Sequence, residues 1–179
     1  MFKAMLKFLK SLISGIKQVQ ENTRNFGMGY NVSHDTIELI KKYEGFKADA
    51  YIDVAGVWTI GYGNTFYEDG SKVRKGDTIT HSQAEKLLRN VVDDFAKKVT
   101  DEIRVQLTDC QFGALVSFTY NVGIGAFRRS TLLRKVNADP EDPEIAGEFT
   151  KWVRAGGKTM NGLIKRRKEE AEFYFKQNC

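Results

Sequence analysis

The chain has 179 residues, 41% of them hydrophobic and 28% charged, with a formal net charge of +5. That length bounds it to one domain, or one domain in two lobes, able to bury most of its apolar surface without disulfides. Two cysteines without CxxC spacing and two histidines, each at the start of a predicted helix, exclude a redox motif and supply no metal-ligand cluster, so neither metal nor cofactor is expected.

Cys110 sits in an apolar run and reads as a buried thiol, while Cys179 reads as a thiol on the tail. The charge is unevenly placed. Residues 1–31 carry Lys3, Lys7, Lys10, Lys17 and Arg24 against Glu21 alone, residues 151–179 are also strongly basic, and the centre is net acidic. Basic ends suit polyanionic surfaces, although solvated helix faces explain the C-terminal block equally well.

Taken from the start, residues 1–17 place apolar side chains at 2, 5, 6, 9, 12, 13 and 16 with lysines between them, the period of an amphipathic helix. Four lysines interrupt it, so it does not read as a transmembrane span or a secretory signal. It suits a helix lying in an anionic lipid interface; the alternative is a helix packed on the body of the protein. Residues 18–31 read as a linker, which divides the chain into an N-terminal element over 1–31 and a globular domain over 32–179.

Ser33 is placed to cap a helix over 34–44, in which Ile37 and Ile40 mark the inward stripe and Glu44 falls at its next helical step. A carboxylate on that stripe loses hydration, which favours the protonated form that can give up a proton. The period then changes to two, and Val54-Ala-Gly56 supplies a reversal between short strands over 50–53 and 57–62. Asp53 and Thr59 flank that reversal. Thr80 with Gln83 and Thr108 with Gln111 have capping-box spacing, opening helices over 81–99 and 109–121. The second is apolar almost all round and reads as the buried centre of a helical lobe. Shorter helices are expected over 131–136 and 143–154, and a last one over 162–176. The element order is that of an α+β fold.

Glu44, Asp53 and Thr59 lie within sixteen residues of one another. Two carboxylates and a hydroxyl around one groove suit glycosidic cleavage, in which one acid protonates the leaving oxygen and a second directs water or stabilises charge. The stretches Tyr43-Glu44-Gly45-Phe46, Ala50-Tyr51-Ile52-Asp53 and Trp58-Thr59-Ile60-Gly61-Tyr62-Gly63-Asn64-Thr65 resemble the active-site signature of the phage-type lysozymes. Phe118-Thr-Tyr-Asn121-Val-Gly123, Ala155-Gly-Gly-Lys158 and Gly162-Leu-Ile-Lys-Arg166-Arg167 extend the resemblance over about residues 33–176.

The resemblance implies a two-lobed lysozyme-like fold, a small antiparallel sheet lobe beside a mainly helical one. It implies an endolysin that cuts the β-1,4 bond between N-acetylmuramic acid and N-acetylglucosamine of peptidoglycan, with inversion; a monomer is expected. Glu44 would be the general acid, Asp53 and Thr59 would position and activate water, and Tyr62, Asn64 and Asn121 would contact sugar. Arg166 or Arg167 would pair with Glu44, the register being open, and Trp152 would line the cleft or simply pack. The expected partners are peptidoglycan and, through residues 1–17, an anionic membrane or lipopolysaccharide surface. The expected place of action is the periplasmic cell wall, after synthesis in the host cytoplasm. A non-catalytic envelope-binding protein on the same fold is the alternative, and a nucleic-acid binder is disfavoured by the acidic centre.

Overall fold

The computed structural model describes residues 30–179. The amphipathic segment over 1–17 lies outside the described residues. Tyr30 opens the described chain and already belongs to the body. Its ring stacks on Phe112 at 4.4 Å between centroids, and its hydroxyl donates to the Val105 carbonyl at 3.3 Å and accepts from the Leu107 amide at 3.1 Å.

Helix α1 spans His34–Glu44. The Ser33 hydroxyl accepts from the Thr36 amide at 3.2 Å, supplying one donor-satisfying contact at the N-terminus, and the helix stops at Gly45, whose φ of 69° a side chain would resist. Strands β1 (Lys47–Ile52) and β2 (Trp58–Gly61) follow as an antiparallel hairpin with Tyr51 opposite Thr59 and Ile52 opposite Trp58. The first strand begins earlier than its alternation indicated, because an irregularity between Lys47 and Tyr51 breaks the period of two.

The helical lobe contains α2 (His81–Thr100), α3 (Asp109–Val122), α4 (Ile124–Arg128), α5 (Thr131–Ala138), α6 (Ile145–Thr150) and α7 (Asn161–Tyr174). Both threonine capping boxes are formed, with Thr80 accepting from Gln83 and Thr108 from Gln111. Every residue of α3 from Cys110 to Thr119 is buried. That helix is the axis of the lobe, with α1, α2, α4 and α7 packed on it.

Further features differ from the sequence expectation. Gly123, at φ 84°, closes α3 and at once opens the short α4, so the glycines divide a helix rather than end it. The helix expected over 143–154 stops at Thr150. It gives way to a two-residue hairpin, β3 (Arg154–Ala155) and β4 (Lys158–Thr159), turned by Gly156 and Gly157 at φ 55° and 76°. The two cysteines are not thiols. Cys110 and Cys179 form a disulfide with their Cα atoms 5.5 Å apart, tying the C-terminus to the start of α3.

Trp152 packs, edge-on to Phe118 at 5.5 Å between centroids. Among the described residues no helix is long and apolar enough to cross a membrane, and no cluster of His, Cys, Asp and Glu could hold a metal ion.

Candidate active site

Glu44 is the last residue of α1, so its side chain leaves the core stripe at the rim of the lobe. It is 24% exposed, less enclosed than the helical period alone indicates. Its Oε1 accepts from Arg166 Nη1 at 2.7 Å, across 122 residues of sequence. The open choice between two arginines is thereby resolved: Arg166 faces Glu44.

Arg166 is itself buried and anchored on three further sides. Its Nε donates to Glu170 Oε1 at 3.0 Å, its Nη2 to the Ser117 carbonyl at 3.3 Å, and its guanidinium lies over the Tyr43 ring at 5.4 Å. Glu170 has no exposure, and its Oε1 also accepts from the Ser117 hydroxyl at 2.8 Å. Arg167 points elsewhere. Its Nη1 approaches Glu170 Oε2 at 2.7 Å as an ion contact without hydrogen-bond alignment, its Nη2 donates to Asn121 Oδ1, and its guanidinium lies over Phe118.

Burial pushes the Glu170 carboxyl up, with Arg167 and then Arg166 pulling against it, and burial pulls Arg167 down. The Tyr120 hydroxyl is pushed up to about 12, first by burial and then by the charge of Glu44, which marks Tyr120 as a neighbour of that carboxylate. Burial, followed by the carboxylate of Glu169, likewise raises the Tyr43 hydroxyl.

On the hairpin, Asp53 occupies the turn. Its Oδ1 accepts from the amides of Ala55 at 2.9 Å and Val57 at 2.8 Å, so the side chain that would meet water also holds the loop. Thr59 is almost fully buried, and its hydroxyl donates to the Val57 carbonyl at 3.0 Å. Asp53 and Thr59 therefore meet through one residue, Val57. Among the described residues no hydrogen bond joins either to Glu44. Thr59 keeps its lone pairs to accept from a water, because its proton is already committed.

The expected sugar contacts fall in three settings. Tyr62 is buried, with its ring 5.6 Å from that of Phe46. Asn64 is buried, and its Oδ1 has no hydrogen-bond partner. Asn121, at the end of α3, is engaged by Arg167. An apolar hollow between α6 and α7, lined by Ala146, Thr150, Ala171 and Phe175 among others, shares no residue with this constellation.

Glu170, Ser117 and Tyr120 were not picked out from sequence as site residues. Two signals were available: Glu170 stands one helical step beyond Arg166, and Ser117 is a polar residue in the midst of a helix that is apolar all round.

The phage lysozyme family model matches residues 41–170, the span that contains Glu44, the hairpin and Arg166. The chain belongs to the phage lysozyme family. It is 44% identical over 146 residues to an endolysin of Bacillus phage B103, covering 80% of this chain and 54% of the relative. It is 39% identical over 148 residues to an endolysin of Acyrthosiphon pisum secondary endosymbiont phage 1, covering 80% of this chain and 97% of that one. The fold matches an endolysin from Escherichia coli O157:H7 phage FAHEc1 with a TM-score of 0.74 and 39% identity, over 81% of this chain and 93% of the other. The chain thus spans about half the length of the Bacillus phage relative and nearly all of the other two. The two-lobed α+β architecture expected of the family is the one this member has.

Proposed function

We propose that the protein is a peptidoglycan hydrolase, an N-acetylmuramidase that cleaves the β-1,4 bond between N-acetylmuramic acid and N-acetylglucosamine during lysis of a host bacterium. One observation carries the reading: within the family-matching span, a partly exposed carboxylate at the end of α1 is fixed by an arginine from the far helix, immediately before the hairpin that bears Asp53 and Thr59.

Glu44 acts as the general acid and protonates the leaving oxygen. Asp53, with Thr59 accepting a hydrogen bond from the water, directs the attack from the opposite face of the sugar. That division of labour leads to inversion, which needs the two carboxyl groups roughly 6.5–9.5 Å apart so that a water fits between them and the sugar. Tyr62, Asn64 and Asn121 are the proposed sugar contacts.

Purified cell walls lose turbidity on treatment with the enzyme, and new reducing ends appear on muramic acid. Glu44→Gln, which removes the transferable proton and keeps the shape, lowers that rate by about 100-fold or more. Near-wild-type activity in Glu44→Gln, or reducing ends on glucosamine instead, would overturn the proposal.

The finer proposal for residues 1–17 is attachment to an anionic membrane or lipopolysaccharide surface, which brings the hydrolase to the wall from the periplasmic side. Its basis is the lysine and aliphatic pattern of that segment. The Cys110–Cys179 bond is consistent with work outside the reducing cytosol, where disulfides persist. Deleting residues 1–17 should abolish binding to anionic liposomes and leave hydrolysis of purified walls intact. Unchanged liposome binding would sink the idea.

A further inference from the structure

Glu170 is wholly enclosed, and a carboxylate so placed is costly unless its charge is compensated. It is compensated by two arginines at once. Oε1 receives Arg166 Nε and the Ser117 hydroxyl, and Oε2 faces Arg167 Nη1. Arg166 spends its Nη1 on Glu44. Two carboxylates therefore draw on one guanidinium, one of them sealed inside the lobe and the other at the site.

The four side chains form a balanced set of two positive and two negative charges. Removing the charge of Glu170 would leave Glu44 as the only carboxylate drawing on Arg166. We propose that Glu170 is a positioning residue which, through Arg166, sets how firmly the charge on Glu44 is held and hence the pH range over which Glu44 donates its proton. This inference rests on Glu44 being the general acid.

The surroundings add little that competes with it. From α1 the group faces Glu44 and Tyr43. From α3 it meets Ser117, with Tyr120 and Asn121 beyond; the Tyr43 and Tyr120 hydroxyls are both held above their ordinary range and stay neutral at working pH. On α7, Glu169 is taken by Lys42 at 2.6 Å, and on α6, Glu148 is taken by Lys151 at 2.6 Å. Arg166 is thus the cation in direct contact with Glu44, and Glu170 is the buried carboxylate that shares it. Ser117 adds direction, because its hydroxyl and carbonyl bind Glu170 and Arg166 respectively and lock their relative orientation.

The test is the pH profile of cell-wall hydrolysis by the full chain, compared for wild type, Glu170→Gln, Glu170→Asp and Glu44→Gln, with folding checked by circular dichroism. Glu170→Gln keeps the shape and removes the charge, so an unshared guanidinium opposes protonation at the site and the alkaline limb moves to lower pH by about one unit. Glu170→Asp keeps the charge but draws it back, and the limb moves the same way by a smaller amount. A merely structural residue would lower activity by the same factor at every pH, and an unmoved limb in Glu170→Gln overturns the proposal. If Glu170→Gln does not fold, an unmoved limb in Glu170→Asp does so instead. Full activity in Glu44→Gln would remove the general-acid reading itself, an outcome separate from a fixed limb in a protein that still needs Glu44.

Discussion

Arg166 holds three partners with one guanidinium: Glu44 at the rim, Glu170 in the interior and the Ser117 carbonyl between them. A planar fork with fixed donor directions can do this where a lysine ammonium could not. Beyond this buried network, which also includes the Arg167–Glu170 pair, ion pairs lie nearer the surface. Lys176 reaches Asp35 at 2.7 Å, joining the chain after α7 to the first turn of α1, and this lysine holds the Asp35 carboxyl below the usual carboxylate range. A carboxyl lowered on folding adds stability that is present above its unfolded pKa and is lost as pH falls through the lower folded value. Asp35→Asn should therefore melt slightly below wild type at pH 7, and the difference should close below about pH 4, where the wild-type carboxylate takes up its proton. A gap in melting temperature that persists at pH 2 would show that the pair is not its origin.

The choice between Arg166 and Arg167 illustrates what a sequence withholds at this scale. Neighbours on a helix point about 100° apart, so which of them meets Glu44 depends on how α7 is rotated against α3. No local signal fixes that rotation. The resemblance narrowed the partner to two, and packing selected one.

At the scale of elements, helix boundaries were readable wherever a cap was present. The Ser33, Thr80, Thr108 and Ser130 caps all form, because a hydroxyl and an amide three residues apart need no tertiary help. Around residues 150–160 the reading failed, since Gly156 and Gly157 make a turn whose conformation helical periodicity does not report. Gly113 is where elements meet most closely. A Cβ there would collide with Thr36 Oγ1 of α1 and lie 3.0 Å from Phe173 Cε1 of α7. Gly113→Ala gains roughly 1 kcal/mol of helix propensity but overpacks the contact by about 1–3 kcal/mol, so a net loss is expected. Because α1 carries Glu44 and α7 carries Arg166, activity should fall beyond what the lost stability explains. An unchanged denaturation midpoint would mean that the three helices can move apart freely.

For the whole molecule, the disulfide is the covalent constraint. It closes a loop across a sequence separation of 69 that contains α3 through α7, worth about 4 kcal/mol in the chain-entropy account. Cys179→Ser should lower the melting temperature by roughly 10 °C under oxidising conditions while leaving the rate at 25 °C near wild type, since neither cysteine touches the Glu44 network. Equal melting temperatures with the wild-type disulfide verifiably formed would remove that assignment.

The sequence by itself determined the α+β order, the capped helices and the buried character of α3, and the family resemblance put forward the trio Glu44, Asp53 and Thr59 that we propose as the catalytic set. These depend on spacing within a turn, a strand or a short signature, and such spacing survives in one dimension. The tertiary structure decided the rest: Arg166 as the partner of Glu44, Glu170 and Ser117 behind it, Asp53 and Thr59 meeting through Val57, and Cys110 bonded to Cys179. Long-range pairings follow from how helices rotate and dock around a shared core, a property of the packed whole that hydrophobic period does not encode.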